Sequence, residues 1–278
     1  MRERKAKRQF PRTPDLPAQS SKYWAKEKDR YLRQLLINDI EDETKRELVV
    51  YFSRLDQYIS ETDADDLAEV LEGVETSDID LLLHTSGGLI DSVEKFVGVL
   101  RQMHVNYRVI VPSWAKSGGT LIALSAQELL LGVSSELGPI DPQINLPDYG
   151  SVSAEFVATD DSQPAILRSI AKADMARAKH LANRYLPTGL LKGRAGAIIT
   201  TAVEKLSSAT GYGSHGAVID HDEALNLELS VKWMEPDSTL WRRVWLLYSL
   251  YDFDTKQDNI GKITEGALYS VARPPMES

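Results

Sequence analysis

Apolar positions in this chain fall into short continuous blocks separated by stretches of helical spacing. Leu48-Val49-Val50-Tyr51-Phe52, Ile79 to Leu83, Tyr107 to Val111 and Glu128 to Leu131 are dominated by β-forming and aliphatic residues. Blocks of this kind predict strands buried on both faces. Between them, Asp65 to Leu71 and Asp91 to Met103 carry apolar residues at helical intervals, and Asp63 stands where it would cap the first helix. Thr120 to Leu124 reads as a buried helix, and Tyr23 to Ile40 as a helix leading into the fold. Strands alternating with helices predict an α/β fold of βαβ units with a mainly parallel sheet covered on both faces. Further on, the Pro- and Gly-containing stretch Asn145 to Gln163 predicts a hairpin excursion, and Gln163 to Tyr185 and Arg194 to Leu206 predict helices. Two Trp and two Tyr at helical spacing between Thr239 and Phe253 mark an aromatic helix for core or interface packing. The expected organisation is a basic tail over 1–21, too polar to order itself, one α/β core over 22–238, and the aromatic helix and tail over 239–278.

Composition narrows the function classes. The formal charge of -9 over 278 residues argues against a dedicated nucleic-acid binder. The absence of cysteine excludes disulfides, thiolate zinc sites and thiol catalysis. No apolar run approaches the ~20 residues of a membrane span, and the basic amino terminus lacks a signal-peptide apolar core. The expectation is a cytoplasmic protein. His84, His104 and His221 have no metal-ligand spacing, so neither metal nor cofactor is expected.

Two Gly pairs directly follow two of the strand-like blocks: Thr85-Ser86-Gly87-Gly88 and Ala115-Lys116-Ser117-Gly118-Gly119-Thr120. Glycine permits backbone conformations and close approaches that a Cβ forbids. N–H groups exposed at a strand-to-helix turn can face developing negative charge. A hydroxyl between two such turns, as at Ser117, is placed to attack a carbonyl whose oxygen points at those amides, with Gly118 supplying one of them. Each Gly pair alone is also what an ordinary βα turn looks like.

The order of these motifs adds specificity. Leu81-Leu82-Leu83-His84-Thr85-Ser86-Gly87-Gly88 resembles the first oxyanion turn of Clp-like peptidases, and Val109 through Leu124 resembles their nucleophile turn and following helix. With Gly132-Val133-Ser134-Ser135-Glu136-Leu137-Gly138-Pro139-Ile140-Asp141-Pro142-Gln143, the chain resembles the serine dehydrogenase proteinase family of the Clp/crotonase superfamily, a relative of signal peptide peptidase A. The resemblance runs from about Arg33 to Gln143 and resumes more weakly at Ser214 to Asp220 and Glu223-Ala224. It implies a Clp/crotonase-like spiral of βαβ units, a peptide or protein substrate, Ser117 as nucleophile, oxyanion amides from Gly87 or Gly88 and from Gly118, and a homo-oligomer. Two positions depart from the family: Ser86 replaces a Pro, which should loosen that turn, and Glu228 replaces a Gly.

The base is less sharply marked. Asp141 lies close to where the Clp subunit's His would align, and His215 sits in a Gly-rich match to the family with an imidazole suited to proton transfer. A Ser/Lys dyad would need Lys172, because no lysine lies between Lys116 and Lys172 and the Lys116 side chain should diverge from its neighbour's. Two other readings share the fold: a crotonase-like acyl-thioester enzyme, which needs no serine, and a catalytically silent scaffold.

Overall fold

The computed structural model describes residues 20–103 and 105–276. The basic tail lies largely outside the described residues, as does His104. Four parallel strands form the centre of a seven-stranded sheet: β1 (Glu47–Ser53), β2 (Asp78–His84), β3 (Asn106–Val111) and, after the two-residue β4 (Trp114–Ala115), β5 (Glu128–Leu131). Their side chains alternate between two cores, as the twofold period of a strand requires. Val49, Tyr51, Leu81, Leu83, Val109, Val111, Leu129 and Leu131 enter one; Leu48, Val50, Phe52, Leu82, Ile110 and Leu130 enter the other.

β6 (Glu136–Leu137) pairs with β4, and β7 (Gln143–Leu146) and β8 (Gly150–Ser153) make the hairpin expected from the middle segment. Ile144, Leu146 and Val152 of that hairpin pack on a small separate cluster that includes Ala154, Val157 and Ala171. β9 (Val231–Trp233) extends the sheet in parallel beside β5. At the other edge β10 (Lys262–Glu265) runs antiparallel to β1, and β11 (Ser270–Arg273) antiparallel to β10. The patterning did not anticipate these last three strands.

Helices α1 (Ser21–Lys26) and α2 (Lys28–Thr44) replace the single expected entry helix. α3 (Asp63–Leu71) and α4 (Ile90–Gln102) cross over between the parallel strands, and α5 (Gly118–Leu124) is buried along its whole length. α6 (Ala154–Thr159), α7 (Ala165–Tyr185), α8 (Gly196–Ser207), α9 (Ala209–Tyr212) and α10 (His221–Asn226) follow the hairpin, and α11 (Thr239–Gln257) packs on α2. Asp63 does not cap α3. Thr62 holds that position, and the Asp63 carboxylate instead accepts the Ser60 N–H and pairs with buried Lys262 at 2.7 Å, so this carboxylate joins α3 to β10. Among the described residues no helix is long and apolar enough to cross a membrane.

Candidate active site

The first Gly-rich turn leaves the carboxyl end of β2, the second follows β4 just beyond the carboxyl end of β3, and the two meet. Thr85 N–H donates to the Trp114 carbonyl (3.1 Å) and Lys116 N–H to the Thr85 carbonyl (3.0 Å), which fixes the spacing of the turns. Glycine is needed where they touch. A Cβ on Gly87, whose φ is +105°, would lie 2.8 Å from the Ser117 Cβ and 2.9 Å from the Gly118 nitrogen. One on Gly118 would lie 3.2 Å from the Gly88 nitrogen.

Ser117 has φ 51° and ψ −114°, a conformation that costs a residue with a side chain about 1–3 kcal/mol. It is held there by the turn around it: Gly119 N–H donates to the Lys116 carbonyl at 2.7 Å, and Leu121 N–H to the Ser117 carbonyl as α5 begins. The Thr120 hydroxyl lies 2.8 Å from both the Ala115 and Gly138 carbonyl oxygens, so the segment leading to Asp141 is tied to the same turn.

The amides around Ser117 differ in what they are free to do. Gly87 N–H donates to the Thr85 hydroxyl at 3.1 Å, whereas Gly88 and Gly118 N–H have no hydrogen-bond acceptor among the described residues. Gly88 is held by the edge pairing of Ile59, with Ile59 N–H donating to the Gly87 carbonyl and Leu89 N–H to the Ile59 carbonyl. Ser86, in place of the family's Pro, pins its turn by donating to the Gln57 carbonyl at 3.0 Å rather than loosening it.

Asp141 and His215 come together although they are far apart in sequence. His215 Nδ1 lies 2.7 Å from Asp141 Oδ1, with Asp141 buried and His215 half-buried. Gln143 Nε2 donates to the other carboxylate oxygen at 2.7 Å. A carboxylate accepts, so the shared proton sits on Nδ1 and the Nε2 lone pair is left for another donor. The two segments pair directly: Leu137 and Ile219 exchange backbone hydrogen bonds of 2.9 and 3.1 Å. The Ser117 hydroxyl makes no hydrogen bond among the described residues.

Lys172 is exposed on α7. Lys116 turns away from Ser117, its ammonium held by Glu136 Oε1 (3.1 Å) and by the Leu137 and Ala217 carbonyls. His84 is buried between the rings of Phe52 and Trp114, with Tyr248 edge-on. His221 points into an open cavity of about 460 Å³ also lined by Asp220, Asp222 and Trp233, which none of Ser117, Asp141 and His215 lines. Gln143 belongs to the quoted Asp-Pro-Gln motif, but nothing in its spacing assigned it to the carboxylate. A grip by Lys116 on a loop a hundred residues downstream leaves no local signal.

Among solved structures, a serine-to-alanine mutant of the membrane-bound stomatin-specific protease 1510-N is 19% identical, with a TM-score of 0.46 over 67% of this chain and 79% of that one. ClpP1 from Listeria monocytogenes is 14% identical, with a TM-score of 0.44 over 75% of this chain and 99% of that one. Two uncharacterized proteins of Methanocaldococcus jannaschii are similar in sequence. MJ0137 is 31% identical over 69% of this chain and 66% of its own length, and MJ1495 is 27% identical over 67% and 63%. The match thus spans just under two thirds of both relatives. The family model of the ClpP-like SDH-type serine proteinases matches residues 34–259, most of the chain. This protein belongs to the family of ClpP-like, SDH-type serine proteinases.

Proposed function

We propose that the protein is a serine peptidase in which Ser117, His215 and Asp141 act as nucleophile, base and orienting carboxylate. The observation that carries this reading is the His215–Asp141 hydrogen bond of 2.7 Å, on segments tied to the strained Ser117 turn. Ser117 Oγ attacks the peptide carbonyl carbon while His215 Nε2 takes the hydroxyl proton. The charge that develops on the carbonyl oxygen is met by the Gly88 and Gly118 N–H groups, the two left without acceptors. His215 then returns its proton to the leaving amine as the C–N bond breaks. A water deprotonated by the same nitrogen next attacks the acyl carbon, and that proton passes to Ser117 Oγ as the ester C–O bond breaks and the acid product leaves. Gly87 shapes the turn and does not donate to the oxyanion. The cycle balances its protons without metal or cofactor.

The substrate class proposed is a peptide or protein segment, and the protein is proposed to self-assemble. Trp245, Leu246 and Phe253 stand exposed on α11 and support assembly through that helix. Light scattering at micromolar concentration tests it, and a clean 31.0 kDa species would remove the idea.

Labelling with a serine-directed fluorophosphonate tests the catalytic reading. Covalent modification at Ser117, lost in Ser117→Ala with the fold intact, is the expected result. Failure to label, with acyl-CoA binding instead, would replace the peptidase by a crotonase-like enzyme; failure of both would leave a scaffold.

A further inference from the structure

We propose that Lys116 is a positioning residue that holds the His215 loop against the nucleophile turn, a role that rests on the serine-peptidase reading above. An ammonium group has three N–H donors. At Lys116 three acceptors surround it: the Glu136 carboxylate at 3.1 Å, the Leu137 carbonyl at 3.2 Å and the Ala217 carbonyl at 3.1 Å. The stem of the side chain lies over Gly138, where a Cβ would come within 2.7 Å of Lys116 Cδ. The residue next to the nucleophile therefore grips both chain segments that carry the other two members of the triad. Leu137 and Gly138 lead to Asp141, and Ala217 follows His215 by two residues.

The loop needs such a grip. Residues 213–218 are mostly exposed, and Gly213 and Gly216 flank His215. Their internal hydrogen bonds are local, from Ala217 N–H to the Ser214 carbonyl and from Gly216 N–H to the Ser214 hydroxyl. Among the described residues, two hydrogen bonds reach 213–218 from elsewhere: His215 to Asp141, and Lys116 to Ala217. The first orients the imidazole relative to Asp141. The second is the direct tie to the turn that carries Ser117. A partly shielded ammonium against carbonyl dipoles makes charge-assisted bonds, about twice as strong as neutral ones. Without that tie, the Leu137–Ile219 pairing still anchors the base of the loop, but the loop's distance from the nucleophile is left to its glycines.

The test compares wild type, Lys116→Met, Lys116→Arg, His215→Ala and the Lys116→Met/His215→Ala double variant. One readout is the rate of fluorophosphonate labelling at Ser117. The other is the nitrogen NMR signal of the His215 imidazole, which does not depend on catalysis. Lys116→Met should slow labelling by on the order of a hundredfold, the scale of a misplaced catalytic group, and should broaden or shift the His215 signal. Lys116→Arg, which keeps the cation and its donors, should recover much of both. In the His215→Ala background Lys116→Met should add nothing, because its effect acts through the imidazole. Equal losses in both backgrounds, or an unchanged His215 signal in folded Lys116→Met, would overturn the proposal while leaving the peptidase reading in place. If wild type takes no label but Lys116→Met still disturbs His215, the loop tie stands and the peptidase reading falls.

Discussion

Asp141 and His215 are separated by 74 residues and joined by a 2.7 Å hydrogen bond through Nδ1. The carboxylate is buried, and its second oxygen is occupied by Gln143, so it has little freedom to turn away. Asp141→Asn keeps the shape but substitutes an amide, which can offer Nδ1 a donor and favour the wrong tautomer. Loss of that orientation should lower turnover about a thousandfold or more, as triad logic requires. Single-turnover rates of Asp141→Asn and His215→Ala measured beside wild type check this. Full activity in both variants removes the triad, and a crippled Lys172→Ala would move the base to α7.

Gly87 faces the same turn from the other side. Gly87→Ala would place a methyl group 2.8 Å from the Ser117 Cβ and the Lys116 carbonyl oxygen, at a φ of +105° that L side chains rarely adopt. The neighbours on that side are backbone atoms and a Cβ whose place the backbone fixes, so none can swing aside. The expected result is a fall in activity of about a hundredfold or more, the scale of a disturbed oxyanion site, with about 1–3 kcal/mol of lost stability. Equal activity in Gly87→Ala would show that the contact between the turns is not needed for chemistry.

The central strands were legible because each is a dense apolar run whose two faces both find a core. β10 was not, although all four of its residues are buried, because the sequence Lys-Ile-Thr-Glu shows no apolar block. Its two charges are buried by pairing, Lys262 with Asp63 and Glu265 with Arg33, and partners nearly two hundred residues away or more leave no local trace. The same holds at the site. Motif order marked Ser117 and the two glycine turns, and the resemblance left the proton to His215, Asp141 or Lys172; neither could divide the proposed oxyanion role between Gly87 and Gly88. That division depends on whether the Thr85 hydroxyl captures the Gly87 amide. Glu228 illustrates the converse. It stands where the family has Gly, and its φ of 57° is the left-handed conformation a Gly would adopt without strain.

His84 sits directly behind the first turn and gives the fold a pH dependence of its own. Burial pushes its imidazole down from 6.5 to about 3, with Lys256 acting in the same direction and Asp252 opposing. Its Nδ1 has no hydrogen-bond partner among the described residues. The unfolded chain therefore binds a proton at pH values where the folded protein does not. The stabilisation is fully present above pH 6.5 and is lost as pH falls towards 3, amounting to on the order of 2 kcal/mol by pH 5. His84→Phe, which keeps an aromatic ring in the stack, should be less acid-sensitive than wild type between pH 6.5 and 4. Thermal midpoints across that range decide it, since the carboxylates titrate in both proteins and the difference isolates His84. Parallel curves would mean that the imidazole is not buried in its neutral form.

The buried cation at the opposite edge makes the last prediction. Arg33 on α2 donates to Glu265 at 2.8 Å and also pairs with Asp254 of α11, while the Tyr251 hydroxyl donates to the same Glu265 oxygen at 2.7 Å. The Arg33 and Glu265 side chains are almost entirely hidden from solvent. Removing the guanidinium leaves the buried Glu265 carboxylate with only the longer 3.7 Å contact to the Arg30 guanidinium, and breaking a buried pair in this way typically costs about 3–5 kcal/mol. Arg33→Met should therefore lower the thermal midpoint by roughly 10 °C for a chain of this size. Adding Glu265→Gln should restore part of the loss, because the charge left with only its longer Arg30 contact is then gone. The effect should extend beyond the pair, since Glu265 lies opposite Val50 in the β1–β10 register, and faster amide exchange is expected along β10 and β11. A midpoint within a degree of wild type would mean that solvent reaches Glu265, and that the C-terminal strands do not depend on α2 for their place in the sheet.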